Sequence, residues 1–132
     1  TDLDLALQAA MDRGAERIVV VGGGAGRLDH LLGVATLLAS PRWQPATIEW
    51  RTPESTTNVV HTTQTVATTP SDIISVIPFG GAATVTLSGT KWELQRADLE
   101  FGSTLGISNE ATSTEVTLQV HAGTGLLVRT PQ

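Results

Sequence analysis

The sequence contains no cysteine among its 132 residues. Disulfide bonds and thiolate metal sites are therefore excluded, which fits a reducing compartment. The eight lysine and arginine residues form no run and the net charge is −5, which argues against a general nucleic-acid or membrane-surface binder. No stretch approaches the roughly 20 apolar residues that a membrane-spanning helix needs, and no signal peptide precedes the first amphipathic segment. We therefore expect a cytoplasmic protein.

An initiator methionine is also lacking, because the chain begins at Thr1. We expect these residues to be the remainder of a longer protein. Hydrophobic residues make up 40% of the sequence, enough for a buried core in one ordinary domain or two small ones.

A short apolar run followed by glycines is the most informative stretch. Residues 18–21 are four consecutive β-branched residues, as in a strand covered on both faces. Glycines 22–24 and 26 allow the backbone to approach a ligand, and the amides of the next helix favour an anion. Arg27 adds planar donors that match phosphate. The pattern predicts an anion site, with an ordinary strand-to-helix turn as the alternative, and it matches neither the dinucleotide fingerprint nor the Walker loop.

Two aspartates stand at predicted helix starts. Asp2 lies in the first turn of a helix that Thr1 caps and Gly14 ends, and Asp29 begins a second helix that stops at Ser40. A carboxylate in such a place can hold a metal or polarise a hydroxyl, or can simply complement the helix dipole.

The pattern along the chain predicts an α/β part followed by an all-β part. Helix, strand, helix and a strand at 46–50 place the partial parallel α/β layer in residues 1–52, which strands before Thr1 would complete. Residues 53–70, rich in threonine, predict a linker or edge hairpin. Short β-rich segments without a helix predict an antiparallel sheet or β-sandwich in residues 71–132. The predicted strands there are 71–79, 83–87, 91–95, 115–120 and 126–129.

Polar and aromatic residues in the β part form a second candidate site. Trp92 follows a turn, and its ring can either offer a stacking face to a ring-shaped ligand or belong to the core. Asn109, next to Ser108, can supply a donor and an acceptor to a heterocycle edge, with an ordinary turn as the alternative. His61 and His121 have no second ligand at metal spacing, and we interpret both as structural or surface residues.

Several short motifs together resemble the thiamine pyrophosphokinase family. Their order and spacing across nearly the whole chain carry the resemblance. The motifs are Thr1-Asp2, Gly26-Arg27-Leu28-Asp29-His30, Ile77-Pro78-Phe79, Gly89-Thr90-Lys91-Trp92-Glu93-Leu94, Phe101-Gly102 and Gly106-Ile107-Ser108-Asn109-Glu110.

The resemblance implies transfer of a diphosphate group from ATP to thiamine, giving thiamine diphosphate and AMP, with Mg²⁺ as cofactor. It implies an α/β nucleotide domain followed by a thiamine-binding β-sandwich, and a homodimer with active sites shared between subunits. The implied catalytic residues are Asp2, Arg27 and Asp29, of which Asp2 belongs to the metal site. The implied ATP-binding residues are Gly24, Gly26 and Arg27, and the implied thiamine-binding residues are Trp92, Ser108 and Asn109.

The sequence also departs from this family. Further acidic motifs of the family's N-terminal region are absent, and Val34 stands where the family usually has asparagine. We therefore expect little or no kinase activity from these 132 residues alone. The alternatives are a non-catalytic ligand-binding or dimerisation β-sandwich, and a sugar- or cofactor-binding sandwich with an unrelated helical cap.

Overall fold

Two helices precede most of the ten strands, and the computed structural model describes all residues from Thr1 to Gln132. The helices are α1 (Asp2–Asp12) and α2 (Leu28–Leu38), and a 3₁₀ helix covers Pro41–Trp43. The strands are β1 (Arg17–Val21), β2 (Thr47–Arg51), β3 (Thr56–Val60), β4 (Thr63–Ala67), β5 (Ile73–Pro78), β6 (Ala83–Ser88), β7 (Leu94–Leu99), β8 (Asn109–Glu110), β9 (Glu115–Ala122) and β10 (Gly125–Thr130). No helix follows residue 43, as the sequence predicts.

The strands form two sheets. A six-stranded sheet has the order β1-β2-β3-β10-β5-β8, and a four-stranded sheet has the order β4-β9-β6-β7. Only β1 and β2 pair in parallel, and every other pairing is antiparallel. The predicted parallel α/β layer is therefore present only as one pair of strands, which continues directly into antiparallel strands.

Segment 53–70 differs from the predicted linker or edge hairpin. It contains β3, which lies between β2 and β10, and β4, which is an edge strand of the other sheet, so the two do not pair with each other. Thr57 and Asn58 of β3 are polar but buried. Because an interior strand is recognised in a sequence by its apolar residues, this polar composition did not indicate one. The residue limits of the domains stay a prediction.

Apolar cores lie on both faces of the six-stranded sheet. Neighbouring residues of a strand point to opposite faces, and on β3 Val59 belongs to one core while Val60 belongs to the other. The core that contains Val59 also contains Leu7 of α1 and Leu38 of α2, so the helices cover that face. Val60 shares its core with strands of the four-stranded sheet. The six-stranded sheet is thus the layer that holds the helices and the second sheet together.

The first helix ends where the sequence predicts, and α2 ends at Leu38, two residues before the predicted stop at Ser40. The hydroxyl of Thr1 accepts a hydrogen bond from the Asp4 amide at the start of α1, and Gly14 follows its end with φ +77°. Each α-helix has eleven residues, and neither helix has the length and apolar character required to cross a membrane.

A buried ion pair fixes the last strand to the turn before β5. Asp72 is only 2% exposed and accepts hydrogen bonds from the Thr69 amide at 2.8 Å and from Nε of Arg129 at 2.6 Å. Burial alone raises the pKa of this carboxyl, but the hydrogen bonds outweigh it and hold the pKa below 3.8. Asp72 therefore stabilises the fold as an anion.

We predict that Asp72→Asn lowers the free energy of unfolding by about 2–4 kcal/mol near neutral pH, because Arg129 loses its buried counter-charge. Since the folded-state pKa is lowered, the contribution is complete above the unfolded value of 3.8 and is lost as the pH falls through the folded value. Urea denaturation between pH 7 and pH 3 measures this. The difference between wild type and variant should shrink below about pH 4.

The matched control is Asp98→Asn, because Asp98 accepts an exposed hydrogen bond from Thr84. This change should alter stability by only about 0.5 kcal/mol. Equal effects of the two substitutions at neutral pH would contradict the role of Asp72.

Candidate functional site

The glycine turn after β1 is held against the neighbouring strand. The Gly22 amide donates to the Arg51 carbonyl at 2.9 Å, and the indole nitrogen of buried Trp50 donates to the Gly22 carbonyl at 2.6 Å. A Cβ on Gly24 would lie 2.2 Å from the Thr52 side chain, so only glycine allows this close approach. Gly26 has φ +95° and faces open space. The start of the turn is therefore held against Arg51 and Thr52 before the chain enters α2.

Arg27 and Asp29 form a bidentate ion pair at the start of α2. Arg27 Nε lies 3.1 Å from Asp29 Oδ1, and Arg27 Nη2 lies 2.5 Å from Oδ2. The Arg27 hydrogen bond, helped by the His30 amide, holds the pKa of the Asp29 carboxyl below 3.8. Asp29 is thus ionised at neutral pH and can accept a hydrogen bond or contact a cation. Both side chains are largely exposed, so the pair is weak enough for a phosphate to compete for Arg27.

The two predicted catalytic aspartates share one cleft. Asp2 and Asp29 both line a cavity of about 680 Å³ beside the first turns of α1 and α2. Helix starts carry partial positive charge, which favours anions there. Val34 lines the same cleft, at the position of the expected family asparagine. The structure therefore brings together Asp2, Asp29 and Val34, which are separated in sequence.

Sequence reasoning did not single out Asp4 and His30 as cleft residues. Both line this cavity, and Asp4 is paired with Arg42 at 2.5 Å. Helical spacing does not contain this signal, because residues one or two positions apart on a helix point in different directions. The place of Asp4 and His30 in the cleft follows only from how the two helix starts lie beside each other. Even so, the chain has no group of three His, Asp or Glu side chains that could hold a metal ion. Asp2 as a metal ligand stays a prediction.

Trp92 lies on the surface. It is 57% exposed, whereas Trp43 and Trp50 are 1% and 7% exposed. The predicted strand 91–95 begins only at Leu94, and Trp92 belongs to the preceding turn. Lys91 Nζ lies over the indole, 4.8 Å from the ring centroid. Of the two interpretations of Trp92, core residue and exposed aromatic face, the structure shows the exposed face.

Asn109 joins Trp92 to β8. This buried side chain accepts hydrogen bonds from the amides of Trp92 at 3.1 Å and Glu110 at 2.9 Å. It donates to the Trp92 carbonyl at 2.7 Å and to the Thr90 hydroxyl at 3.2 Å. Ser108, by contrast, is exposed, and its amide donates to the Ser75 hydroxyl at 3.0 Å. The three predicted residues of the β part therefore lie together, with Asn109 beneath Trp92 and Ser108 at the surface.

The two groups of predicted residues lie at opposite ends of the six-stranded sheet. Arg27 and Asp29 follow β1 at one edge, while Asn109 is in β8 at the other edge. Five strand intervals of roughly 4.8 Å separate these edges by about 24 Å. One chain therefore does not bring Asp29 next to Trp92.

Comparisons with known proteins identify one family. The family described as "Thiamin pyrophosphokinase, vitamin B1 binding domain" matches residues 57–124, which include Trp92, Ser108 and Asn109. Thiamine pyrophosphokinase of Bacillus subtilis is 32% identical over 138 aligned positions, covering 98% of this chain and 62% of the relative.

Solved structures extend the likeness to the whole chain. The crystal structure of the Bacillus subtilis thiamine pyrophosphokinase has a TM-score of 0.89 and 30% identity, covering 100% of this chain and 63% of that one. The thiamin pyrophosphokinase of Geobacillus thermodenitrificans has a TM-score of 0.83 and 31% identity, with coverage of 100% and 62%.

The chain thus spans less than two thirds of the length of these relatives. The family match nevertheless includes just over half of the 132 residues of this chain, and the structural match covers the whole chain. This chain belongs to the thiamin pyrophosphokinase family, with its vitamin B1 binding domain in residues 57–124.

Proposed function

We propose that the chain acts in a thiamine pyrophosphokinase, which transfers a diphosphate group from ATP to the hydroxyethyl group of thiamine in the cytoplasm. The products are thiamine diphosphate and AMP. The observation that carries this proposal is the exposed, hydrogen-bonded Trp92 segment inside the vitamin B1 binding match. Membership of the family and the names of the similar proteins support it.

Trp92 is the proposed stacking surface for thiamine. Aromatic rings attract both flat heterocycles and cations, and thiamine contains a pyrimidine and a positively charged thiazolium. Lys91 occupies one face of the indole, so the ligand stacks on the other face. The exposed Ser108 lies next to Asn109 on β8 and offers its hydroxyl to the pyrimidine.

The cleft between α1 and α2 is the proposed site for ATP. Gly24 and Gly26 shape the turn, and Arg27 binds phosphate oxygens in place of part of its contact with Asp29. The ionised Asp29 accepts the hydrogen bond of the reacting hydroxyl. Positioning and charge neutralisation of this kind are what phosphoryl-type transfer requires.

Mg²⁺ is the proposed cofactor, with Asp2 as one ligand. Mg²⁺ is often held by one or two carboxylates together with substrate phosphates, and it neutralises charge on those phosphates. Asp2 lines the same cleft as Asp29, so the two carboxylates can supply part of the ligands that Mg²⁺ needs. Because the chain has no group of three suitable side chains, the remaining ligands have to come from outside these residues.

A homodimer with shared active sites is the proposed assembly. The edges that carry Asp29 and Trp92 are about 24 Å apart within one chain, which is too far for one thiamine to contact both. A second copy can place its α2 beside the Trp92 of the first. Exposed apolar side chains near β8, namely Phe101, Leu105 and Ile107, offer surface for such a contact.

The main alternative is a non-catalytic ligand-binding or dimerisation module. The incomplete set of metal ligands favours it, and binding of Mg-ATP separates the two functions. Calorimetry with thiamine, with and without Mg-ATP, supports the kinase if both ligands bind. Thiamine binding without Mg-ATP binding favours the module.

We predict that Trp92→Leu weakens thiamine binding by about 1–3 kcal/mol, because the stacking surface is lost, while Trp92→Phe keeps part of it. Isothermal calorimetry on the folded variants measures the affinities. The control is Leu5→Ala, which removes an exposed apolar side chain on α1. This variant should bind thiamine like the wild type. Unchanged binding by Trp92→Leu would remove the ring from the site.

The absence of cysteine allows a clean test of the shared site. We predict that Arg27→Cys and Ser108→Cys chains, mixed and treated with a short bismaleimide, form a covalent heterodimer of about twice 13.8 kDa. Mass spectrometry identifies the crosslinked peptides. Thr65→Cys, placed on the other sheet, replaces Ser108→Cys in the control mixture and should give no such product. A monomer in sedimentation experiments, with no crosslink, would argue against the shared site.

A further inference from the structure

We propose that Asn109 is a positioning residue that fixes Trp92 as the stacking surface, and that it acts on the ligand through Trp92. This inference rests on the proposed function for its ligand, thiamine. The attachment of Trp92 by Asn109 concerns only the chain itself and can be tested without a ligand.

All the hydrogen-bonding capacity of the Asn109 amide is used within the chain. A side-chain amide has two donor hydrogens and one oxygen that accepts two bonds. Its oxygen accepts from the Trp92 and Glu110 amides, and its nitrogen donates to the Trp92 carbonyl and the Thr90 hydroxyl. With a residue exposure of 6%, no donor or acceptor remains for a ligand.

Asn109 is hydrogen-bonded to both polar atoms of the Trp92 backbone. Oδ1 accepts from the Trp92 amide at 3.1 Å, and Nδ2 donates to the Trp92 carbonyl at 2.7 Å, so one planar group holds both polar atoms of a single peptide segment. Neighbouring bonds extend the attachment, since the Lys91 amide donates to the Glu110 carbonyl at 2.9 Å and Thr90 bridges to Ala111. The turn is therefore fixed to β8 although the indole itself is exposed.

Such an arrangement matters for binding because a stacking surface that is already ordered costs less conformational entropy when the ligand arrives. A loose exposed tryptophan would have to be ordered by thiamine itself. The adjacent Lys91, over one face of the ring, closes that face and leaves one direction of approach.

Asn109→Asp is the most direct test, because the carboxylate keeps the shape and both acceptor bonds but loses both donor bonds. We expect about tenfold weaker thiamine binding near pH 8, since the Trp92 carbonyl then faces a charge instead of a donor.

Nuclear magnetic resonance supplies the readout that does not need a ligand. The chain has three tryptophans, and the indole N–H signal of Trp92 is assigned by its loss in Trp92→Phe. The heteronuclear NOE of that signal should fall in Asn109→Asp near pH 8, while the signals of buried Trp43 and Trp50 keep their positions. Thr36→Val is the control, because it removes a hydroxyl hydrogen bond to the Leu32 carbonyl on α2 and should leave Trp92 unchanged.

The outcomes separate this inference from the proposed function. A fall in the NOE together with weaker thiamine binding supports both. An unchanged NOE, or a fallen NOE with unchanged thiamine affinity, overturns the positioning role. If wild-type protein binds no thiamine and the NOE still falls, the proposed function fails and the attachment of Trp92 by Asn109 stands. Asn109→Ser, which shortens the side chain, serves as the second variant if Asn109→Asp does not fold.

Discussion

The antiparallel pairing of β2 with β3 is the interaction on which the rest of the structure depends. It joins the only parallel pair of strands to the antiparallel strands, so that one sheet extends from the glycine turn to β8. Because hydrogen-bonded strands cannot move independently, the two candidate regions are fixed relative to each other at the two edges of one sheet. The separation of Asp29 from Trp92 is therefore a property of the fold. The proposed homodimer brings the two regions together through a second chain.

Sequence patterns predicted the local elements well where one signal dominated. The Thr1 cap and Gly14 stop enclose α1, and the β-branched run ending in glycine became β1 and its turn. The expectation that this strand is covered on both faces was wrong, because β1 is an edge strand and its Val19 and Val21 side chains are exposed. The same patterns failed at β3, where Thr57 and Asn58 are buried. Whether such a strand lies inside a sheet depends on its pairing, and the β10 residues that pair with Thr57 and Asn58, namely Val128 and Leu127, are distant in sequence.

The candidate site, like the fold, could be predicted only in part from the sequence. Residue types predicted an anion site at Arg27 and an aromatic surface at Trp92, and the structure places both at the surface. The sequence did not predict which groups these side chains contact. Asn109 appeared as a possible contact for a heterocycle, yet its four hydrogen bonds lie within the chain, since this depends on how a turn and a two-residue strand meet. Likewise, the bidentate contact between Arg27 and Asp29 depends on side-chain directions at the start of α2.

The two regions differ in how firmly the chain holds them, and this difference fits their proposed tasks. Trp92 is anchored by bonds to both of its backbone polar atoms, so the surface for the ligand ring exists before the ligand binds. Arg27 and Asp29 have mainly each other as partners and remain largely exposed, so a phosphate can exchange with the carboxylate at little cost. A triphosphate with its metal brings several charges that need several ligands at once, and the three carboxylates that line the cleft, Asp2, Asp4 and Asp29, do not form a group that could hold a metal ion. We therefore infer that the firmly held segment at Trp92 suits the proposed thiamine surface, whereas the exchangeable pair of Arg27 and Asp29 suits the proposed phosphate site.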